Sequence, residues 1–347
     1  MKLSKKPLSI VLIVALVTTM IFSQLAFAVG EGPLYKGNET INNSRITTYE
    51  EMVELLKDYD EKSDLINLQV FGQTVKGRDL YLVKFGDMNP NKPTVLFLTQ
   101  QHGNEVLSTE AALNVIRNLS VNSKNSKDLA SKINVLFIPK YNADGGEADV
   151  NFPLENYYGG GLATRYNANR IDLNRDHTAR TQPETRALHS EVLSKYKIDY
   201  MIDFHHQGTT SAVDDEYVSG SILYPTNEGV KPEVVQASRK LGAIVYNAVE
   251  SKGFGKLGKY IGGSANTIAR NCVAHDYDIP TLLFEMRGMI DNEWMDAVLG
   301  QKSNGYLIQQ SVVTMQAVMN ALATGEIETV DDSFWETLTE QGSKVTE

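Results

Sequence analysis

A single cysteine, Cys272, among 347 residues has no partner for an intramolecular disulfide, so packing, with or without a metal, must hold the fold. Positive charge is also short: 33 Lys and Arg stand against 43 Asp and Glu, a formal net charge of −10. That balance argues against nucleic acid or an anionic membrane surface as a partner. No internal repeat or low-complexity block is visible, which excludes a repeat array. What is abundant is apolar material: 42% of the chain is hydrophobic, ample for a large core in one sizeable domain or two smaller ones.

Only the N-terminus carries an extended apolar run. Lys2, Lys5 and Lys6 precede an apolar stretch from Ile10 to Phe22, and Ala26-Phe27-Ala28 follows as a small-residue cleavage site. Thr18, Thr19, Ser23 and Gln24 interrupt the run, so a secretory signal peptide over residues 1–28 is a better reading than a retained membrane anchor. The expected product is secreted, with no stable membrane insertion once the signal is removed. Losing three lysines takes the formal charge from −10 to −13.

A short polar lead covers residues 29–44, too short for a folded prodomain. A helix is then expected in "TTYEEMVELLKDYDEKS", with Thr47 or Thr48 as N-cap and Met52, Leu55 and Leu56 on one face. The runs "INLQVFGQT", "LYLVKFG" and "PTVLFLTQQ" read as three strands of a meander. "NEVLSTEAALNVIRNLS" is helical by its apolar spacing, and "INVLFIPKYNADG" is a buried strand ending in turn residues. Residues 151–168 read as a long loop in which Tyr157 and Tyr158 either line a cleft or anchor the loop. Helices in "PETRALHSEVLSKY", "KPEVVQASRKLGAIVYNAVESKG" and "NGYLIQQSVVTMQAVMNALAT" alternate with strands in "IDYMIDFHH" and "IPTLLFEMRG". This rhythm predicts an α/β, three-layer sandwich with a mixed, mostly parallel central sheet, whose ligands bind beyond the carboxyl ends of its strands. A catalytic domain over residues 45–324 is expected, with the acidic tail 325–347 outside the fold or loosely docked.

The chemistry concentrates at strand ends. His102 and Glu105, three apart after an apolar strand, can reach one point, and zinc accepts both imidazole nitrogen and carboxylate oxygen. H-x-x-E alone is common by chance, so a third ligand is required. "MIDFHHQG" offers one, His205 or His206, at the end of a second buried strand. Asp203 can accept a hydrogen bond from a ligand imidazole and fix its tautomer, or serve as a structural acid. His177, His189 and His275 do not fit the triad, His189 being assigned to the surface or to packing on a helix. Cys272 is assigned to packing.

Taken in order, "HGNE", "RYNANRIDLNRD", "DFHHQG" and "LLFEMRG" resemble the zinc metallocarboxypeptidases of the carboxypeptidase A type, over about residues 46–323. The resemblance implies one zinc ion per chain held by His102, Glu105 and His205, with His205 taking the family's D-x-H position. It makes Glu285 the general base for a metal-activated water and Arg165 the stabiliser of the oxyanion. Asn174 and Arg175 match the pair that grips the substrate's terminal carboxylate. Two positions depart from the pattern: Tyr260 is the nearest counterpart of the catalytic-loop tyrosine, and Arg270 stands at the side-chain specificity position. Arg270 there suits an acidic side chain, unless it braces a loop through Asp276 or Asp278.

The expectation is a secreted, monomeric zinc metalloprotease, a hydrolase releasing C-terminal residues from peptides. Alternatives are a cell-wall-associated peptidase cleaving γ-D-glutamyl-diaminopimelate bonds in muropeptides, a deacylase of acylated amino acids, and a non-catalytic peptide-binding homologue.

Overall fold

A computed structural model describes residues 47–147, 164–208, 211–250, 255–288 and 304–343. The signal-peptide and polar-lead assignments, and the Tyr157-Tyr158 pair, lie outside them. Helix α1 (Tyr49–Lys62) begins at a capping box. Thr48 Oγ1 accepts from the Glu51 N–H and Glu51 Oε2 accepts from the Thr48 N–H, satisfying two end donors while Met52 and Leu56 face the core. Strands β1 (Ile66–Gln73) and β2 (Asp79–Phe85) pair antiparallel across the turn that Gly77 makes at φ 81°. Next come β3 (Thr94–Thr99), α2 (Val106–Ser120), α3 (Lys124–Lys132), β4 (Asn134–Ile138) and the single turn α4 (Ala143–Gly146). Helix α5 (Pro183–Ala187) continues as a π-helical segment over Leu188–Leu193.

The second half holds β5 (Tyr200–Gln207), the short strands β6 (Ser211–Val213) and β7 (Glu216–Tyr217), and β8 (Gly220–Leu223). After them come α6 (Pro232–Glu250), β9 (Leu257–Lys259), α7 (Ala269–Tyr277), β10 (Thr281–Arg287), α8 (Asn304–Thr324) and β11 (Gly342–Ser343). Eight strands form one sheet in the order β1-β2-β4-β3-β5-β10-β8-β9, parallel through its centre. The expected meander stops at its second strand. β4 lies between β2 and β3, because the helices after β3 carry the chain back to pair β4 parallel to it.

β3, β4 and β10 are buried at every position, and β5 at all but His206, as central strands covered on both faces must be. On one face Phe97, Phe137, Phe204 and Phe284 form a row, with centroids 5.3 Å apart for Phe97–Phe137 and 5.6 Å for Phe204–Phe284. They share a core with residues of α2, α6 and α8. On the other face Leu80, Leu82, Leu96, Leu98, Leu136 and Met201 pack with Leu188, Val192 and Val273. Three layers result, as expected from the alternation.

The described part of the C-terminal segment, residues 325–343, does not lie outside this body. Ile327 and Trp335 are buried in the first core, Trp335 Nε1 donates to the Arg239 carbonyl, and Arg239 pairs with Asp332 and Glu336. β11 then pairs with β6. The acidic composition of the tail masked its few anchors, one of them the buried tryptophan.

Candidate active site

Adjacent parallel strands β3, β5 and β10 end side by side, and the residues of interest sit at those ends. Glu285 is directly opposite His205 in the β10–β5 register, and Leu98 is opposite Asp203 across β3–β5. Because alternate side chains share a face, Asp203, His205, Leu283 and Glu285 all point to the same side of the sheet. His206 takes the other side; burial lowers its pKa to about 4.

After β3 the chain turns sharply. Gln100 adopts φ 55°, a left-handed conformation costly for a residue with a Cβ. It is held there by its N–H to Ser108 Oγ at 3.1 Å and its Nε2 to the Gly103 carbonyl at 2.7 Å. The turn delivers His102 and Glu105 to the end of β5. Gly103 is required by close approach: its N–H donates to the Arg165 carbonyl, and a Cβ would collide with the backbone of Gly145 and Thr164.

His102 Nδ1 lies 2.8 Å from Glu105 Oε1 and 3.0 Å from His205 Nδ1, and His205 Nδ1 lies 2.9 Å from Glu105 Oε2. All three side chains are buried and their donor atoms lie within 4.8 Å of one another. Both imidazoles turn their outer nitrogen to a carboxylate: His102 Nε2 is 3.2 Å from Asp172 Oδ1, and His205 Nε2 is 2.8 Å from Asp203 Oδ2. Such carboxylate–histidine pairs place the proton on the outer nitrogen and free the inner lone pair. Two inward lone pairs and a carboxylate on one point form a donor set that fits a divalent cation, zinc in particular. Burial works against ionising Glu105, but when their inner nitrogens carry protons the His102 and His205 rings hold its carboxyl well below the usual range, a role that a divalent cation at the same point would take over.

Asp172 was not singled out from sequence. It bridges the site: Oδ1 faces His102, and Oδ2 accepts from Arg165 Nε at 3.0 Å and Nη2 at 2.8 Å. Arg165 thereby brings Nη1 to 3.3 Å from His102 Nδ1 while remaining partly exposed. Glu285 is buried, and its Oε2 has no hydrogen-bond partner among the described residues. Burial, with the negative charges of Glu105 and Asp203, outweighs His205 and raises its pKa to about 8. The phenol of Tyr260, just past β9, feels the charge of Glu285, which together with burial pushes its pKa up.

Asn174 anchors the start of α7, its Oδ1 accepting from the Ala269 N–H at 2.8 Å, with Nδ2 3.4 Å from His205 Nε2. Arg175 is exposed and donates to the Asn174 carbonyl. Arg270 is fully buried on α7. Its Nη2 donates to the Gly263 carbonyl at 2.8 Å and Thr226 Oγ1 at 3.2 Å, and its Nε has no partner among the described residues. The brace through Asp276 or Asp278 is not made: Arg180 takes the first and Lys231 the second. Cys272 is buried, its thiol pushed up to about 12 by burial. His189 is buried, not superficial.

Known proteins bear out the architecture. The sequence is 33% identical over 138 residues to the carboxypeptidase N catalytic chain of Rattus norvegicus, covering 37% of this chain and 30% of that one. It is 30% identical over 107 residues to a zinc carboxypeptidase of Saccharothrix mutabilis subsp. capreolus, covering 29% and 25%. Thus the chain matches about a third or less of the length of these curated relatives. Among solved structures, carboxypeptidase A of Helicoverpa armigera superposes with a TM-score of 0.61 at 18% identity, covering 83% of this chain and 77% of that one, a likeness of fold. The sequence pattern of the zinc carboxypeptidase family matches residues 52–266, a span that includes the His102, Glu105 and His205 cluster and ends before Arg270 and Glu285. Since that span is more than half of its length, the chain belongs to the zinc carboxypeptidase family.

Proposed function

We propose that this protein is a secreted, zinc-dependent carboxypeptidase that hydrolyses the C-terminal peptide bond of its substrate, with residues 45–324 as its catalytic domain. The observation that carries the reading is the convergence of three buried donor atoms, from His102, Glu105 and His205, beside a buried carboxylate with a free oxygen, Glu285. Zinc in that donor set supplies Lewis acidity, which lets water attack an amide near neutral pH. Glu285 Oε2 takes the proton from the attacking water and passes it to the departing amine. A carboxyl pushed towards neutrality is suited to both transfers.

Arg165, fixed by two hydrogen bonds to Asp172, presents its guanidinium where negative charge develops on the carbonyl oxygen. Asn174 and Arg175 hold the terminal carboxylate, and Tyr260 closes over the substrate beside Glu285. Arg270, a buried cation with no carboxylate in ion-pair contact among the described residues, favours an acidic side chain at the substrate's C-terminal residue. Export follows from the N-terminal pattern, and no helix among the described residues is long and apolar enough to cross a membrane. The substrate is a peptide, the working form a monomer, and the net charge of −10 disfavours nucleic acid.

A second reading on the same scaffold is a cell-wall peptidase acting on muropeptides, favoured by the export pattern and by Arg270, since a diaminopimelate residue carries an extra carboxylate. Zinc-loaded protein is to be incubated with peptides of acidic, basic and apolar ends and with muropeptides. Release of C-terminal residues, most readily acidic ones, is expected, with Glu285→Gln keeping its zinc but losing turnover. Release from no substrate, or turnover by Glu285→Gln above about a hundredth of wild type, would refute the mechanism.

A further inference from the structure

A line of buried polar side chains runs from the ligand His205 to the protein surface, and none of its outer members takes part in the hydrolysis described above. Gln101 Nε2 donates to Asp203 Oδ2 at 3.1 Å. On the far side of the same amide, Gln101 Oε1 lies 2.5 Å from His177 Nε2. His177 Nδ1 is 3.1 Å from His189 Nε2, and His189 Nδ1 is 2.8 Å from the hydroxyl of Tyr277. Gln101 and His177 are completely buried, His189 nearly so, and Tyr277 half-buried on α7. His189 belongs to the π-helical segment Leu188–Leu193, a widened turn of a kind frequent at functional sites.

Proton positions along this line follow from its inner end. A ligand His205 keeps the lone pair of Nδ1 for the metal, so its proton is on Nε2 and Asp203 Oδ2 accepts it. An ionised carboxylate only accepts, so Gln101 must turn its NH₂ group to Asp203 and its carbonyl to His177. His177 therefore donates from Nε2. A neutral imidazole has one proton, so His177 Nδ1 accepts from His189 Nε2, and His189 Nδ1 accepts from the Tyr277 hydroxyl. Burial supports the neutral state, lowering the pKa of His177 to about 3 and that of His189 to about 4. The reverse direction would set the Gln101 carbonyl against the Asp203 carboxylate.

We propose that Gln101, His177, His189 and Tyr277 are positioning residues: a one-way hydrogen-bond chain that fixes the Gln101 amide, through it Asp203, and so the tautomer and orientation of His205 as a metal ligand. The proposal rests on His205 being a ligand, and it does not depend on which amide is cleaved. A packed apolar cluster would fill the same space without fixing a tautomer, and that difference is measurable.

The ring nitrogens of ¹⁵N-histidine-labelled, zinc-loaded protein report the proton positions directly by NMR. His177 and His189 are each expected to be protonated on Nε2 and bare on Nδ1; the opposite tautomer in either overturns the chain. Zinc affinity, measured by chelator competition, is expected to fall about tenfold in His177→Leu. His177→Gln, whose amide can donate to Gln101 Oε1, should recover it to within about threefold of wild type. Unchanged affinity in His177→Leu, or no recovery in His177→Gln, assigns these residues to packing alone and overturns the proposal. Should His177→Leu not fold, Tyr277→Phe at the half-buried end serves: it should let His189 exchange between tautomers, and an unaltered His189 spectrum overturns the chain. Wild-type protein that binds no zinc would refute the metal reading as well, an outcome distinct from zinc binding that is indifferent to residue 177.

Discussion

Gly103→Ala tests how tightly the fold holds its ligand loop. A Cβ at residue 103 would lie 2.6 Å from the Gly145 Cα, with the Gly145 carbonyl carbon and the Thr164 carbonyl oxygen closer still, whereas ordinary contact begins at 3.4 Å. All three are backbone atoms, so no side chain can swing aside. The two backbones must part by at least about 0.8 Å, the difference between 3.4 and 2.6 Å. Metal-ligand distances tolerate only about 0.2 Å, and His102 and Glu105 flank the shifted residue. Overpacking of this kind costs about 1–3 kcal/mol of stability. It leaves the aromatic core of the sheet, on the other face, intact. The expected result is a folded protein melting several degrees lower, with zinc affinity reduced at least about tenfold. Chelator competition and thermal melting of the same preparation separate the two effects. If Gly103→Ala bound zinc within twofold of wild type, the backbone contact would not position the ligands and the reasoning would fail.

The remaining predictions probe individual charges. Asp172→Asn removes the carboxylate shared by His102 and Arg165 and should weaken zinc binding about 10- to 100-fold in the same competition assay, where an unchanged constant would show that His102 needs no orienting partner. Arg270→Met should lower kcat/KM for peptides ending in glutamate by at least about tenfold without affecting those ending in leucine; an equal effect on both would remove Arg270 from side-chain selection. His177 makes a pH-dependent contribution to stability, because burial holds its folded-state pKa at about 3 against an ordinary 6.5. Between those values the unfolded chain binds the extra proton, so wild type loses about 1.4 kcal/mol per pH unit below 6.5 through this residue. His177→Gln lacks that loss, so its stability relative to wild type should rise by about 2 kcal/mol from pH 7 to pH 5 in urea unfolding, and parallel curves would refute the buried neutral imidazole.

Much of this architecture was legible because it depends on short-range signals. The apolar runs "TVLFLT" and "TLLFEMR" announce central strands, and the polar residues that follow or end them mark where a site would collect. Harder to see was anything fixed by pairing across long separations. That β4 inserts between β2 and β3 depends on the direction in which the helices after β3 carry the chain, and no residue of the strand encodes it. Asp172 is one acid in "DLNRD"; only the fold brings it to His102, 70 residues away. The tail reads as solvated by composition, yet the burial of Trp335 outweighs a run of exposed acids.

The same distinction explains how the site separates rigidity from chemistry. The donor atoms are fixed from behind by buried polar groups at the ends of the central strands, among them Asp203, 0% exposed, whereas Arg165 and Arg175, which the proposed mechanism assigns to the substrate, stay accessible. Burial is costly for every polar group unless it is paired, so a buried polar atom left unpaired signals work still to be done. Glu285 Oε2 and Arg270 Nε are two such atoms, the first on the strand end beside His205 and the second on a residue whose charge is felt by Tyr260. A substrate with a scissile amide at the first and an acidic side chain at the second would satisfy both on binding. Arg270 is already buried before any substrate arrives, so a peptide lacking the acid adds no new burial cost and only forgoes that pairing. On the proposed reading, selectivity at this site therefore comes from the ion pair that an acidic end gains, which is why Arg270→Met should leave peptides ending in leucine unaffected.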